Sequence, residues 1–395
     1  MRKPKVLPLS ESPFDLSASG AERHRRMAQV TDDVVTDEAG LMVGFQAADD
    51  VEALLTDRAF GAVAMTTLQF SGVTDGPLHD FWSLLMFGKD GDDHRRLRRP
   101  VSSEFTPKAV ERYRSDIEGF ATALAAGFGG EVELWSRFAL PLSARASCRI
   151  VGIPERDADM VGQWGVDLVG AFFLMTPEMR TRAETAAADF CDYLEAHLAG
   201  LRANPGDDIA SRLLVEESDN DLTHEELRAL VANLVFGGLE ATAKAITTGT
   251  YNMVVEQQWD VLAGRPDVVA HAVSELLRFA PPIGPARIVT EDCSVREVSL
   301  NAGQMAVLDV ARACRDPRHY DQADALDIER QPGRQLAFGA GPHFCLGANL
   351  AKVTLETAFL TLTQRFPELR LSDDGLIEWD HDTFHGIVEL PVYVN

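Results

Sequence analysis

Apolar residues recur with a helical period over most of this chain. The stretches Glu184 to Leu201 and Glu225 to Thr250 are rich in Ala, Leu, Glu and Arg and read as long helices with apolar faces. Gln46–Leu55 is also helix-like. Strand-like segments are shorter. Leu300–Leu308 reads as a turn entering a strand. Glu389–Val394 reads as an edge strand, with Pro391 where no ladder donor is needed. Turn residues gather at Asn204–Asp208, Ala280–Pro282 and Gln331–Gly333. None of these resembles a flexible linker, and no solenoid-type repeat is visible. The pattern predicts one domain over residues 1–395, mainly α, with a smaller β-rich region built from residues early and late in the chain.

No run is apolar for the length a bilayer requires, and the start, MRKPKVLPLSESPFDL, has basic residues but no long apolar core. Neither a signal peptide nor a membrane anchor is expected. Five cysteines (Cys148, Cys191, Cys293, Cys314, Cys345) are widely spaced without a CxxC pair. That argues against a disulfide framework or a zinc site and fits a reducing cytoplasm. The net charge of −24 opposes binding to nucleic acid, whose phosphates would repel it. Positive charge is nonetheless concentrated at Arg95, Arg96, Arg98 and Arg99, with Lys352 near the C-terminal cysteine.

That cysteine carries the chemistry. Phe338-Gly339-Ala340-Gly341-Pro342-His343-Phe344-Cys345-Leu346-Gly347 places Cys345 between glycines, just before a helix-like segment. Glycines let the backbone turn tightly and approach a flat object closely. A helix start favours a thiolate. A thiolate beside a planar ligand is what a haem iron with a cysteine ligand requires. The run Phe-Gly-x-Gly-x-His-x-Cys-x-Gly resembles the haem-binding loop of the cytochromes P450. The resemblance implies that family's triangular-prism helical fold enclosing haem b, with Cys345 as the iron ligand.

Further motifs extend the resemblance from about residue 90 to the end of the chain. Glu275-Leu276-Leu277-Arg278 resembles the family's Glu-x-x-Arg, an internal ion pair supporting the cysteine loop. Ala311–Pro317, Asp327–Arg330, Phe384–Gly386 and Leu390–Val392 resemble later landmarks. The family spacing assigns His94, Arg98, Arg287 and His343 to the haem propionates, which suits the need of buried carboxylates for cationic partners.

Asn233 to Thr248 is expected to be the helix crossing the oxygen-binding face of the haem. Gly237-Gly238-Leu239-Glu240-Ala241-Thr242 resembles the family's Ala/Gly-Gly-x-Asp/Glu-Thr-Thr, with Ala241 where threonine is usual. Two glycines weaken a helix interior, so something is expected to come close there. By the resemblance, Glu240 relays protons inward. Thr242 is rotated about 100° from Ala241 and is not expected to replace the missing hydroxyl directly. Ordered water or a substrate hydroxyl is the leading substitute.

The substrate pocket is expected to be lined by Phe81, Trp82, Met86, Phe172, Asn233, Phe236, Gly237, Ile283 and Phe384, which implies a small-to-medium apolar organic substrate. The leading function is insertion of one atom of O2 into that substrate, in the cytoplasm, with electrons from a separate ferredoxin and its reductase. An acidic ferredoxin would dock at the arginine island and Lys352. Ala241 motivates an alternative, a haem-thiolate enzyme performing peroxide-driven oxidation or oxidative coupling. A non-catalytic haem protein is a minor third reading.

Overall fold

The computed structural model describes residues 5–8, 26, 29–30, 32–38, 40–172, 175–215, 222–373, 375–380 and 384–395, and of Phe172 only the backbone. Its longest helix, His224–Val255, begins at a capping box. The Thr223 hydroxyl accepts from the Glu226 N–H at 3.2 Å, and the Glu226 carboxylate accepts from the Thr223 N–H at 3.0 Å, so two orphan donors of the first turn are satisfied. By length and composition this helix is apolar enough to cross a membrane, which corrects the expectation that no run is, but its most apolar window is 83% buried inside the fold. It is a core helix, apolar on nearly all sides.

Neighbouring helices fit against it at glycines. A Cβ on Gly238 would lie 2.5 Å from the Ser147 hydroxyl of the Leu140–Ile150 helix, and one on Gly249 would lie 2.6 Å from the Phe359 ring of the Ala348–Arg365 helix. Both approaches are closer than real Cβ contacts, so a side chain at either position would require Ser147 or Phe359 to shift. Gly237 and Gly238 both line the internal cavity, as expected of positions that a ligand approaches, and Gly238 in addition borders Ser147 at the helix crossing.

Six short strands, β1 (Lys5–Leu7), β2 (Val34–Asp37), β3 (Met42–Phe45), β4 (Phe60–Ala62), β6 (Ala286–Val289) and β9 (Met305–Leu308), form one sheet in the order β1-β2-β3-β9-β6-β4. Strands from the first 62 residues therefore pair with strands from 286–308, as expected. Between β4 and β6 in sequence lies β5 (Gly130–Glu133), which belongs to a second sheet with β10 (Arg370–Leu371) and β13 (Pro391–Val394). Here the edge-strand reading is corrected. β13 is the central strand, flanked by β10 and β5, with Pro391 opposite Glu133. Pro391 opens that strand, a position where the missing N–H is tolerated. The helix expected at Gln46–Leu55 spans Ala48–Thr56.

Candidate functional site

The cysteine loop is shaped by two left-handed glycines, Gly339 (φ +72) and Gly341 (φ +68). Any side chain at Gly341 would also press within 3.1 Å of the Leu55 carbonyl. The loop closes on itself where the Cys345 N–H donates to the Phe338 carbonyl at 2.9 Å. Cys345 then stands three residues before the Ala348–Arg365 helix, in the wall of a cavity of about 730 Å³. Burial pushes its thiol above the ordinary value, while the Gly347 N–H and the Arg98 charge pull it down. The helix start alone therefore does not make a thiolate here; a coordinated cation would.

His94 and Arg98 reach the same cavity from the Gly91–Ser102 helix, Arg287 from β6, and His343 from the loop itself. The His94 and His343 rings lie 4.2 Å apart. His343 pairs with Asp90 at 2.9 Å. Burial, with the neighbouring His343 and Arg98, holds His94 down to about 4. Arg98 donates to the Pro342 and Phe344 carbonyls at 3.0 and 2.7 Å, and Arg287 donates only to the Ala286 carbonyl at 3.2 Å. Among the described residues neither guanidinium has a carboxylate within ion-pair distance, although burial pulls both below their ordinary values. Two desolvated cations without counter-ions, facing a cavity with a cysteine in its wall, fit a flat ligand that brings its own carboxylates.

Opposite lies the long helix. Asn233, Phe236, Gly237, Ala241 and Thr242 line the cavity, as do Met86, Ile283 and Phe384. Thr242 is 8% exposed and its hydroxyl makes no hydrogen bond among the described residues. Glu240 lies off the cavity wall. One of its oxygens is 2.5 Å from the Lys244 ammonium, and the other is buried without a partner. Lys244 is fully buried and also donates to Asp380 at 2.6 Å and to the Phe384 carbonyl at 2.8 Å. Burial pushes the Glu240 carboxyl up, against the pull of Lys244. The arrangement therefore ties the acid to the 378–389 hairpin of β11 (Glu378–Asp380) and β12 (Gly386–Glu389).

Phe81 and Trp82 do not line the cavity, which corrects their assignment to the pocket. They sit in the Gly76–Leu84 helix, 4% and 0% exposed, and pack behind Phe236. The helix turns both inward, so their ring area goes to the core. Phe87 takes the wall position, with its ring stacked on Phe236 at 6.2 Å. The side chain of Phe172 lies outside the described residues. Phe87 and Lys244 were missed from sequence. The first adjoins the assigned Met86; the second is a lone cation in an apolar run, a signal that was available.

Glu275 and Arg278 are each 3% exposed and joined by two hydrogen bonds of 2.7 and 2.8 Å. Arg278 also donates to the carbonyls of Cys314, Ala323 and Ala325, while Glu275 accepts from Arg330 and the Asp327 N–H. The pair thus clamps the Val269–Phe279 helix to the 314–330 segment that precedes the cysteine loop.

Fold and site define a mainly helical protein whose internal cavity, with a cysteine sulfur in its wall, suits a ligand that bears carboxylates. The cytochrome P450 family model matches residues 266–387. The polyketide biosynthesis cytochrome P450 PksS of Bacillus subtilis (strain 168) is 33% identical over 323 residues, 79% of this chain and 78% of that one. The crystal structure of CalO2 matches with a TM-score of 0.88 at 28% identity, covering 97% of each chain. That of P450BioI with an acyl carrier protein bearing hexadec-9Z-enoic acid matches at a TM-score of 0.82 and 28% identity, over 89% of this chain and 91% of that one. The chain belongs to the cytochrome P450 family. It is a haem-binding oxidoreductase of the monooxygenase type.

Proposed function

We propose that the chain acts as a single unit that inserts one oxygen atom into a small-to-medium apolar organic substrate, with Cys345 as the haem ligand. The observation carrying this reading is the placement of Cys345 in the wall of a cavity that also holds two partly buried guanidiniums lacking carboxylate partners among the described residues. When bound, the haem supplies the redox chemistry by which dioxygen is activated. The residues of the chain do the rest. Arg98, Arg287, His94 and His343 hold the two propionates. Phe87, Phe236, Met86, Ile283 and Phe384 exclude water and offer apolar contact. Thr242, on the cavity wall beside Ala241, holds a water or a substrate hydroxyl that supplies protons in place of the hydroxyl absent at Ala241. Glu240, kept off the cavity wall by Lys244, acts as a proton store behind the helix rather than as a group touching substrate.

Electrons come from a separate ferredoxin and its reductase, in the cytoplasm. Arg99 is exposed at the end of the chain's basic stretch, beside Arg95, which is also exposed but already pairs with Asp92, and an acidic carrier would be attracted there. Arg96 does not contribute, because Glu226 holds it at 2.5 Å. The test is direct. The reduced, carbon monoxide-bound protein should absorb at about 450 nm, the signature of cysteine ligation, and Cys345→Ala should abolish that band. A band that survives the substitution would overturn the assignment.

A further inference from the structure

Asn233 is the polar side chain placed among the rings of the substrate wall. It is 8% exposed and opens on the cavity one turn before Gly237. Its carboxamide orientation is set by the backbone across from it. The Phe87 N–H donates to the Asn233 Oδ1 at 3.3 Å. Rotating the amide would set one donor against another, so the oxygen is held at Phe87 and the NH2 group must point elsewhere. It points over Gly237. A Cβ at that glycine would lie 3.8 Å from Asn233 Nδ2, with no other described atom outside its own helix turn within 4 Å. Among the described residues nothing accepts a hydrogen bond from this NH2 group. Phe87 and Phe236, stacked at 6.2 Å, line the same wall.

We propose that Asn233 is a specificity-determining donor, and that the substrate is an apolar molecule carrying a hydrogen-bond acceptor, a carbonyl oxygen, seated against its Nδ2. The inference rests on the pocket reading given above and narrows the substrate class. The physical basis is an asymmetry. A buried donor left unpaired costs more than the paired bond contributes, so a site built around such a donor discriminates against analogues lacking the acceptor. A hydroxyl used purely as a donor would not satisfy Asn233; a ketone, ester or lactone oxygen would.

The experiment is a titration of the haem-loaded protein, read by the Soret shift, with cyclododecanone and with cyclododecane. These share a ring and differ in one carbonyl. Asn233→Leu should lower the ratio of ketone to hydrocarbon affinity about tenfold, the size expected for losing one buried hydrogen bond. Asn233→Asp keeps the shape and the acceptor for Phe87 but replaces the NH2 with an oxygen, and it should lower the ratio at least as far. An unchanged ratio in both variants, or no shift with the ketone in the wild type, overturns the proposal. The carbon monoxide band is measured on every sample. A protein that keeps this band and shows a flat ratio sinks the Asn233 assignment alone. A wild type without the band sinks the haem-thiolate reading instead.

Discussion

At the scale of single residues, the departure that matters most is Ala241. It stands on the cavity wall beside Thr242, whose hydroxyl makes no hydrogen bond among the described residues. The rotation of about 100° between them does not carry Thr242 off the wall. A hydroxyl is therefore already present near the place where the family's threonine is missing. Ala241→Thr would add a second one and crowd the water or substrate group held there. Product formed per NADPH consumed should stay level or fall, with peroxide release rising in step. A tenfold gain in the ratio of product to peroxide, equivalent to about 1.4 kcal/mol between competing barriers, would show instead that the wild type lacks something the threonine restores.

At the scale of elements, two buried ionic clusters hold segments that the helices alone would leave loose. Lys244 joins the long helix to the 378–389 hairpin, whose strand β12 is also gripped where the Thr247 hydroxyl donates to the Ile387 carbonyl at 2.6 Å. Lys244→Met strands the buried Glu240 carboxyl and should cost about 3–5 kcal/mol. Amide exchange should rise most at 384–386 and least at Ile387, whose N–H donates to Thr248. Uniform protection across the hairpin would show that Lys244 is not its tether. The Glu275–Arg278 clamp is likewise deeply buried. Glu275→Ala leaves Arg278 without a counter-ion and should cost about 3–5 kcal/mol, seen as a reduced Soret absorbance per protein chain. A fully loaded, equally stable variant would remove the pair from any supporting role.

For the molecule as a whole, the decisive contacts join its beginning to its end. The Asp316 carboxylate accepts from the Ala48 N–H at 3.0 Å and pairs with Arg318 at 2.6 Å, so the first described helix is fastened to the segment before the cysteine loop. Burial pushes the Asp316 carboxyl up, but Arg318 and the backbone donors prevail and bring it to about 2. Its folded-state value lies below the unfolded one, so the unfolded chain binds the proton more readily. Stability from this group is complete above the ordinary aspartate value and is lost as pH falls through about 2. Denaturant titrations should find Asp316→Asn destabilised near neutrality. Its gap from the wild type should narrow by about 2 kcal/mol between about pH 4 and about pH 2. A gap that does not change with pH would show that the carboxylate charge contributes nothing.

Local signals sufficed for much of this protein. Helical periodicity located the long helices because one side of each must be buried wherever it sits, and the glycines at 339 and 341 announced a loop whose backbone conformation other residues resist. Cys345, Arg98, Arg287 and Ala241 were legible because spacing along the chain is enough to recognise a resemblance. Tertiary structure decided the rest. Whether Phe81 and Trp82 or Phe87 face the cavity depends on how one short helix turns against its neighbours, and all three are equally apolar. That Ser147 of another helix passes beside Gly238 has no trace in the sequence around that glycine. Glu240 points to Lys244 because three acceptors, one of them 140 residues away, converge on that ammonium in the folded chain. Composition and periodicity determine what must be buried; only the packed chain determines which buried group meets which.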